Sequence, residues 1–175
     1  TGTNEIIGNT STGNIVQNLA VLSNNVDSEN TGIQIDGSAS TNSVIGNTIT
    51  NLTGLANMYG IATGIIGEAQ QTNIYGNTIS ALKTTGPANV CGIYTDLGTT
   101  INIYKNKIYN LESNNSSGYW VDGMKIFSST IGSTTNIYNN LIPLTPLRDL
   151  MLCNQHENRE LHNYFVANRV NICDN

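Results

Sequence analysis

Charge is scarce in this chain: of 175 residues only 7 are Lys or Arg and 12 are Asp or Glu, for a net charge of −5. So few cations cannot build the basic face that nucleic-acid phosphates demand, and no nucleic-acid partner is expected. Low charge with moderate apolar content also argues against intrinsic disorder, which needs high charge and few β-branched residues. No apolar run approaches the roughly 18 residues of a membrane-spanning helix, so no insertion into a bilayer is expected. Cysteine is limited to Cys91, Cys153 and Cys173, an odd and widely spaced set without a Cys-x-x-Cys. That argues against a disulfide framework or a thiolate metal site and leaves room for one pair at most. There is no Gly-rich phosphate loop, no Gly-x-Ser-x-Gly and no His-Glu-x-x-His. An initiator Met and a signal peptide are also missing, which leads us to expect a mature chain or an excised fragment.

What the chain has instead is 28 Asn and 21 Thr, and a text that repeats. Residues 73–82 read Asn-Ile-Tyr-Gly-Asn-Thr-Ile-Ser-Ala-Leu, and close copies occupy 43–52 and 102–111. A fourth copy begins at Asn136, with weaker ones at Asn14 and Asn171. The closing Asn of each five-residue core falls at 18, 47, 77, 106, 140 and 175, giving steps of 29, 30, 29, 34 and 35. A nearly fixed period in this range is the mark of a repeat architecture.

Each repeat has three short strand-like parts bounded by Asn, Gly, Ser and Thr. The first ends at the Asn, with Ile74, Ile103 and Ile137 at equivalent places. The second carries Ile49, Ile79 and Ile108 three residues before Leu52, Leu82 and Leu111. The third is marked by Gly and a hydrophobe: Gly32-Ile33, Gly64-Ile65, Gly92-Ile93 and Gly123-Met124. No repeat supplies apolar residues at helical spacing. Three short strands cannot close a core alone, but stacked turns pair each strand in parallel with its copy about 4.8 Å away and join the Ile and Leu into one interior. The corner Asn tolerates left-handed backbone, and identical Asn amides one turn apart can bond up the stack.

On these Ile-x-x-Asn-x-Ile cores and the Gly-Ile strand, residues 4–142 resemble the pectate-lyase-like class of right-handed parallel β-helices. The resemblance implies an all-β, single-stranded right-handed parallel β-helix (solenoid) of about five to six turns of roughly 30 residues. It also implies a secreted or cell-surface location, as in bacterial adhesins, tailspikes and polysaccharide lyases. The right hand follows as well from the crossover rule for parallel strands.

Beyond residue 144 the text changes. Residues 145–175 contain no Gly, both His, two of the three Cys and 7 of the 19 charged residues, with Pro143 and Pro146 at the break. We read 1–144 as solenoid turns and 145–175 as a divergent decorated turn or C-terminal cap, with residues 147–152 and 154–161 as a possible short helix. Open ends of a solenoid expose unpaired strands, so end-to-end self-association is a further expectation.

Two constellations carry chemistry. Aligned on the Gly-Ile strand, Asp36, Glu68 and Asp96 form an acidic column suited to Ca²⁺, which takes carboxylate oxygens in flexible geometry. The plainer reading is a set of strand-end acids pointing into solvent. Tyr75, Tyr104 and Tyr138 form an outward column, and Tyr59, Tyr119 and Trp120 lie in loops before the third strand. Exposed rings with polar tips suit a polysaccharide or cell-surface glycan, while a purely structural tyrosine stack is the alternative. His156 and His162, six apart, are wrongly spaced for two ligands on one helix turn. The expectation is therefore an extracellular structural or adhesin-type module, more a binder than an enzyme, presenting loops at 53–60, 83–91 and 112–122. The alternative is a Ca²⁺-dependent polysaccharide lyase or glycoside hydrolase of the β-helix class, in which Lys105 or Lys125 would stand near the acids.

Overall fold

The computed structural model describes residues 10–13, 15–21, 29–35, 41–64, 71–96, 98–114, 119–128, 133–143, 150–154 and 170–174. Within them the chain is a single-stranded right-handed parallel β-helix with three sheets running along its length. The first turn supplies β1 (Thr10–Thr12), β2 (Ile15–Val21) and β3 (Glu29–Ile35). The second supplies β4 (Thr41–Ile45), β5 (Thr48–Gly54) and β6 (Asn57–Thr63), and the third β7 (Gln71–Tyr75), β8 (Thr78–Thr84) and β9 (Val90–Thr95). The fourth supplies β10 (Thr100–Tyr104), β11 (Lys107–Ser113) and β12 (Val121–Ser128). Then come β13 (Thr134–Tyr138), β14 (Leu150–Asn154) and β15 (Val170–Asp174). The five-stranded sheet runs β1-β4-β7-β10-β13, the four-stranded sheet β2-β5-β8-β11, and the six-stranded sheet β3-β6-β9-β12-β14-β15.

Alternation within the strands of the five-stranded sheet decides what lies inside. In β10 the residues Ile101 and Ile103 are buried while Thr100, Asn102 and Tyr104 stand outside, and β4, β7 and β13 repeat the pattern. Parallel pairing keeps these residues level, so Val44, Ile74, Ile103 and Ile137 form one inward file. Ile49, Ile79 and Ile108 form a second, and Ile33, Ile61, Ile93 and Met124 a third. All belong to one continuous core.

Glycine lets two of these files meet. A Cβ on Gly92 would lie 2.5 Å from Ile108 Cγ2 and 2.5 Å from the Gly123 carbonyl oxygen; on Gly60 it would lie 2.5 Å from Ile79 Cγ2 and 2.6 Å from the Gly92 oxygen. Backbone on the next turn cannot give way, so the six-stranded sheet requires glycine where the isoleucines of the four-stranded sheet press against it. The strand partner of Gly92 in the second turn is therefore Gly60, not Gly64, since Ile61 pairs with both Ile33 and Ile93.

The corner between the first two sheets is closed by asparagine. Asn77 Oδ1 accepts from the backbone N–H of Asn47 at 2.9 Å and from its Nδ2 at 3.1 Å. Asn106 Oδ1 accepts the same pair from Asn77 at 3.0 and 2.9 Å, and Asn140 Oδ1 from Asn106 at 3.0 and 3.0 Å. Each Nδ2 also donates inward, Asn77 to Val44 O, Asn106 to Ile74 O and Asn140 to Ile103 O. All four asparagines are buried. The left-handed residue is not the ladder Asn but the one before it: Gly46, Gly76, Lys105 and Asn139 have φ of 63°, 68°, 55° and 55°. A second left-handed file bends the middle strand at Asn51, Ala81 and Asn110, with φ of 56°, 51° and 54°.

Register corrects three further expectations. Ile15 pairs with Thr48 and Gln17 with Thr50, which puts Asn18 level with the bend residue Asn51 and not with the ladder residue Asn47. Asn171 pairs with Met151 in the six-stranded sheet, so the last Asn-Ile core belongs to the third part of the repeat and not to the corner. Residues 150–152, expected in a short helix, lie in a strand paired with β12 because Met151 and Leu152 continue the level of Lys125 and Ile126.

Asn77→Ala deprives the Asn47 N–H of its acceptor and the Val44 carbonyl of its donor in a buried corner. The expected loss is about 3 kcal/mol, or a Tm lower by roughly 6–12 °C, read by thermal unfolding. Ala81→Asn acts in the other direction: alanine is costly in left-handed backbone and asparagine tolerates it. A Tm higher by about 2 °C is expected, with Asn51→Ala lowering it.

Candidate functional site

The outer face of the five-stranded sheet carries two files side by side. Tyr75, Tyr104 and Tyr138 are level in register and their rings stack at 4.6 and 4.8 Å between centroids, within 8° and 3° of parallel. Beside them Asn102 Nδ2 donates to Asn73 Oδ1 at 2.9 Å and Asn136 Nδ2 to Asn102 Oδ1 at 2.8 Å, a second and outward ladder. The tyrosine column is thus a real file, but its geometry limits its use. Both faces of the Tyr104 ring are covered by its neighbours, so the file offers solvent ring edges and hydroxyls rather than flat faces.

The other expected aromatics gather on the six-stranded sheet. Tyr59 is not a loop residue: it lies within β6, is 4% exposed, and packs with Ala62 and Cys91 under Tyr94 and Trp120. The reason is the same register that selects Gly60, because it starts the strand at Asn57 and reduces the expected loop at 53–60 to residues 55–56. Tyr59 and Tyr94 meet at 5.1 Å with a 46° tilt, and Tyr94 meets Phe127 at 5.7 Å and 55°. Lys125 Nζ stands 3.8 Å from the Trp120 ring centroid and 5.1 Å from that of Phe127, a cation held over ring faces. Tyr119, next to Trp120 in the chain, is 36% exposed.

A third asparagine device positions Trp120. Asn57 Oδ1 accepts the Asn89 N–H at 3.0 Å, Asn89 Oδ1 accepts the Trp120 N–H at 3.0 Å, and Val90 N–H donates to the Trp120 carbonyl at 3.0 Å. The signal was in the text: Asn57, Asn89 and Trp120 each stand three residues before Gly60, Gly92 and Gly123.

Electrostatics on this face is set by burial. Cys91 is fully buried; its thiol donates to the Ile93 carbonyl at 3.1 Å, and burial, followed by the Asp122 charge, pushes its pKa well up. Asp122, level with Cys91 in the next strand, is 3% exposed. Burial, then the charge of Glu29, raises the Tyr59 hydroxyl, which also hydrogen-bonds Glu29. Burial, then Asp96, raises Tyr94 to about 12.

The acidic column rests on an alignment that the register replaces. Thr63 pairs with Thr95, so the residue level with Asp96 in the second turn is Gly64 and not Glu68. Asp36 and Glu68 lie outside the described residues, as do His156 and His162. Asp96 is described, half-buried, and burial raises its pKa. Among the described residues no group of three or more His, Cys, Asp or Glu is placed to hold a metal ion. Lys105 sits at the asparagine corner between the first two sheets, away from the strand that carries Lys125.

Comparison of the chain with protein-family models, with curated proteins and with solved structures finds no match. The fold is therefore carried by strand register and the asparagine ladders alone.

Both tyrosines have folded-state pKa values above the unfolded value of about 10. Their contribution to stability is complete below pH 10 and is lost as pH rises through the folded values. The urea midpoint should fall between about pH 10 and 12, tyrosinate absorbance should show late-titrating groups, and Tyr94→Phe should remove part of the fall.

Proposed function

We propose that this chain is a stiff, non-enzymatic module of a secreted or cell-surface protein, built on a pectate-lyase-like solenoid, and that it binds glycan through the aromatic margin of its six-stranded sheet. The observation that carries this reading is the patch of Trp120, Tyr94 and Phe127 around Lys125, set on a sheet whose strands pair from turn to turn. Rings with one apolar face and a polar tip suit the mixed surface of a sugar, and a cation beside them suits an acidic one. Stiffness follows from the interior: parallel pairing in all three sheets, with a buried amide ladder from Asn47 to Asn140, ties successive turns together among the described residues.

A second reading, a Ca²⁺-dependent polysaccharide lyase or glycoside hydrolase, draws support from Asp122 and Lys125 on one strand and from Asp96 directly after the strand paired with it. Fold alone does not imply activity, and this reading stands second.

A glycan array separates them. The expected outcome is retention of acidic polysaccharide, weakened at least about tenfold by Trp120→Ala, a loss near 1.4 kcal/mol, and unchanged by Tyr104→Ala. No retention on any glycan would overturn the binding reading. Unsaturated uronate products released with Ca²⁺ present would establish the lyase instead.

A further inference from the structure

We infer that Cys153 and Cys173 form a disulfide that covalently joins β14 to β15 in the six-stranded sheet. The inference is independent of any glycan. It rests on register: β14 and β15 pair in parallel over five residues, and Cys153 is the direct partner of Cys173. Partners in adjacent parallel strands lie on one face of the sheet, with Cα atoms about 4.8 Å apart. That falls inside the window of roughly 4.4–6.8 Å that a disulfide spans.

The third cysteine is excluded by the same geometry. Cys91 belongs to β9, with β12 between it and β14, so it stands two strand spacings away, about 10 Å. It is also out of level, since Cys91 pairs with Asp122 whereas Cys153 pairs with Phe127. Its thiol is fully buried and kept protonated by that burial, the opposite of a reactive cysteine.

Position in the fold gives the bond its role. Among the described residues the inward asparagine ladder ends at Asn140, and the five- and four-stranded sheets end at β13 and β11. β14 and β15 continue only the six-stranded sheet. A covalent bond between β14 and β15 would tie these two strands directly to one another. The bond closes a loop of 20 residues (173 − 153), which constrains the unfolded chain.

Formation requires an oxidant, here a small-molecule disulfide such as oxidised glutathione. One cysteine thiolate attacks it, forming a mixed disulfide and expelling one glutathione thiolate. The second cysteine thiolate then attacks the protein sulfur of that mixed disulfide and expels the other. The two cysteines lose two protons and two electrons, and the reagent is reduced to two thiols.

The test uses the full chain equilibrated with oxidised glutathione, freed of reagent, denatured, alkylated and digested with trypsin. Arg148, Arg159 and Arg169 place Cys153 and Cys173 on separate peptides, 149–159 and 170–175. The expected result is one alkylated cysteine per monomer, Cys91, and a linked pair of those two peptides that reductant separates. The oxidised monomer should also unfold about 5–10 °C above the reduced one, a difference abolished by Cys173→Ser. Three alkylated cysteines, a link through Cys91, a link confined to covalent dimers, or equal Tm values for the two redox forms would each overturn the inference. Cysteines protected from alkylation until a chelator is added would overturn it too, in favour of a bound metal.

Discussion

The constraint on which this structure depends is the capture of a backbone N–H by the asparagine amide one turn further on. At the corner between the first and second sheets the chain must turn sharply, and the N–H of the turning residue cannot reach a strand partner. Asn77, Asn106 and Asn140 supply that partner from side-chain oxygen, while their own Nδ2 groups reach back to carbonyls of the preceding turn. A buried corner is thereby satisfied without water or charge. The low charge of the chain follows from this solution: the polar groups that must go inside are neutral amides, which cost far less to bury than ions.

Two other features depend on the corner. Because successive turns are held level there, the residues on either side remain in register, and both the Ile files and the tyrosine stack inherit that alignment. The same level pairing places Lys83 beside Glu112 on the outer surface of the second sheet at 2.7 Å, an exposed pair of small energetic consequence. It also places Ile79 and Ile108 against Gly60 and Gly92, so the close approach of two sheets is repeated at each turn by the same pair of residue types.

The architecture was legible because alternation and period are properties of the text. Ile74, Ile103 and Ile137 could be placed inside, and Tyr75, Tyr104 and Tyr138 outside, from spacing alone. Two of the differences share a physical cause: in the second turn, two residues four apart offer themselves for the same role. Asn47 and Asn51 both sit at left-handed corners or beside them, and in the first turn Asn18 was matched to the ladder when it is level with the bend. Gly60-Ile61 and Gly64-Ile65 are likewise both Gly-Ile pairs, and the pairing of Ile61 with Ile33 and Ile93, with Gly60 against Ile79 Cγ2, distinguishes them. Loops of unequal length between the second and third strands removed the fixed offset that would have chosen correctly. The loop expected at 53–60, with Tyr59 in it, and the level of Glu68 with Asp96 depend on that offset.

The inward ladder also has a direction. Every Nδ2 from Asn47 to Asn106 donates toward the next turn and every Oδ1 from Asn77 to Asn140 receives from the one before, so the amide dipoles align head to tail along the axis. Aligned bonds of this kind polarise one another and strengthen as the chain lengthens. Duplicated units can therefore join this solenoid only in the same sense, each new corner finding an acceptor ahead and a donor behind.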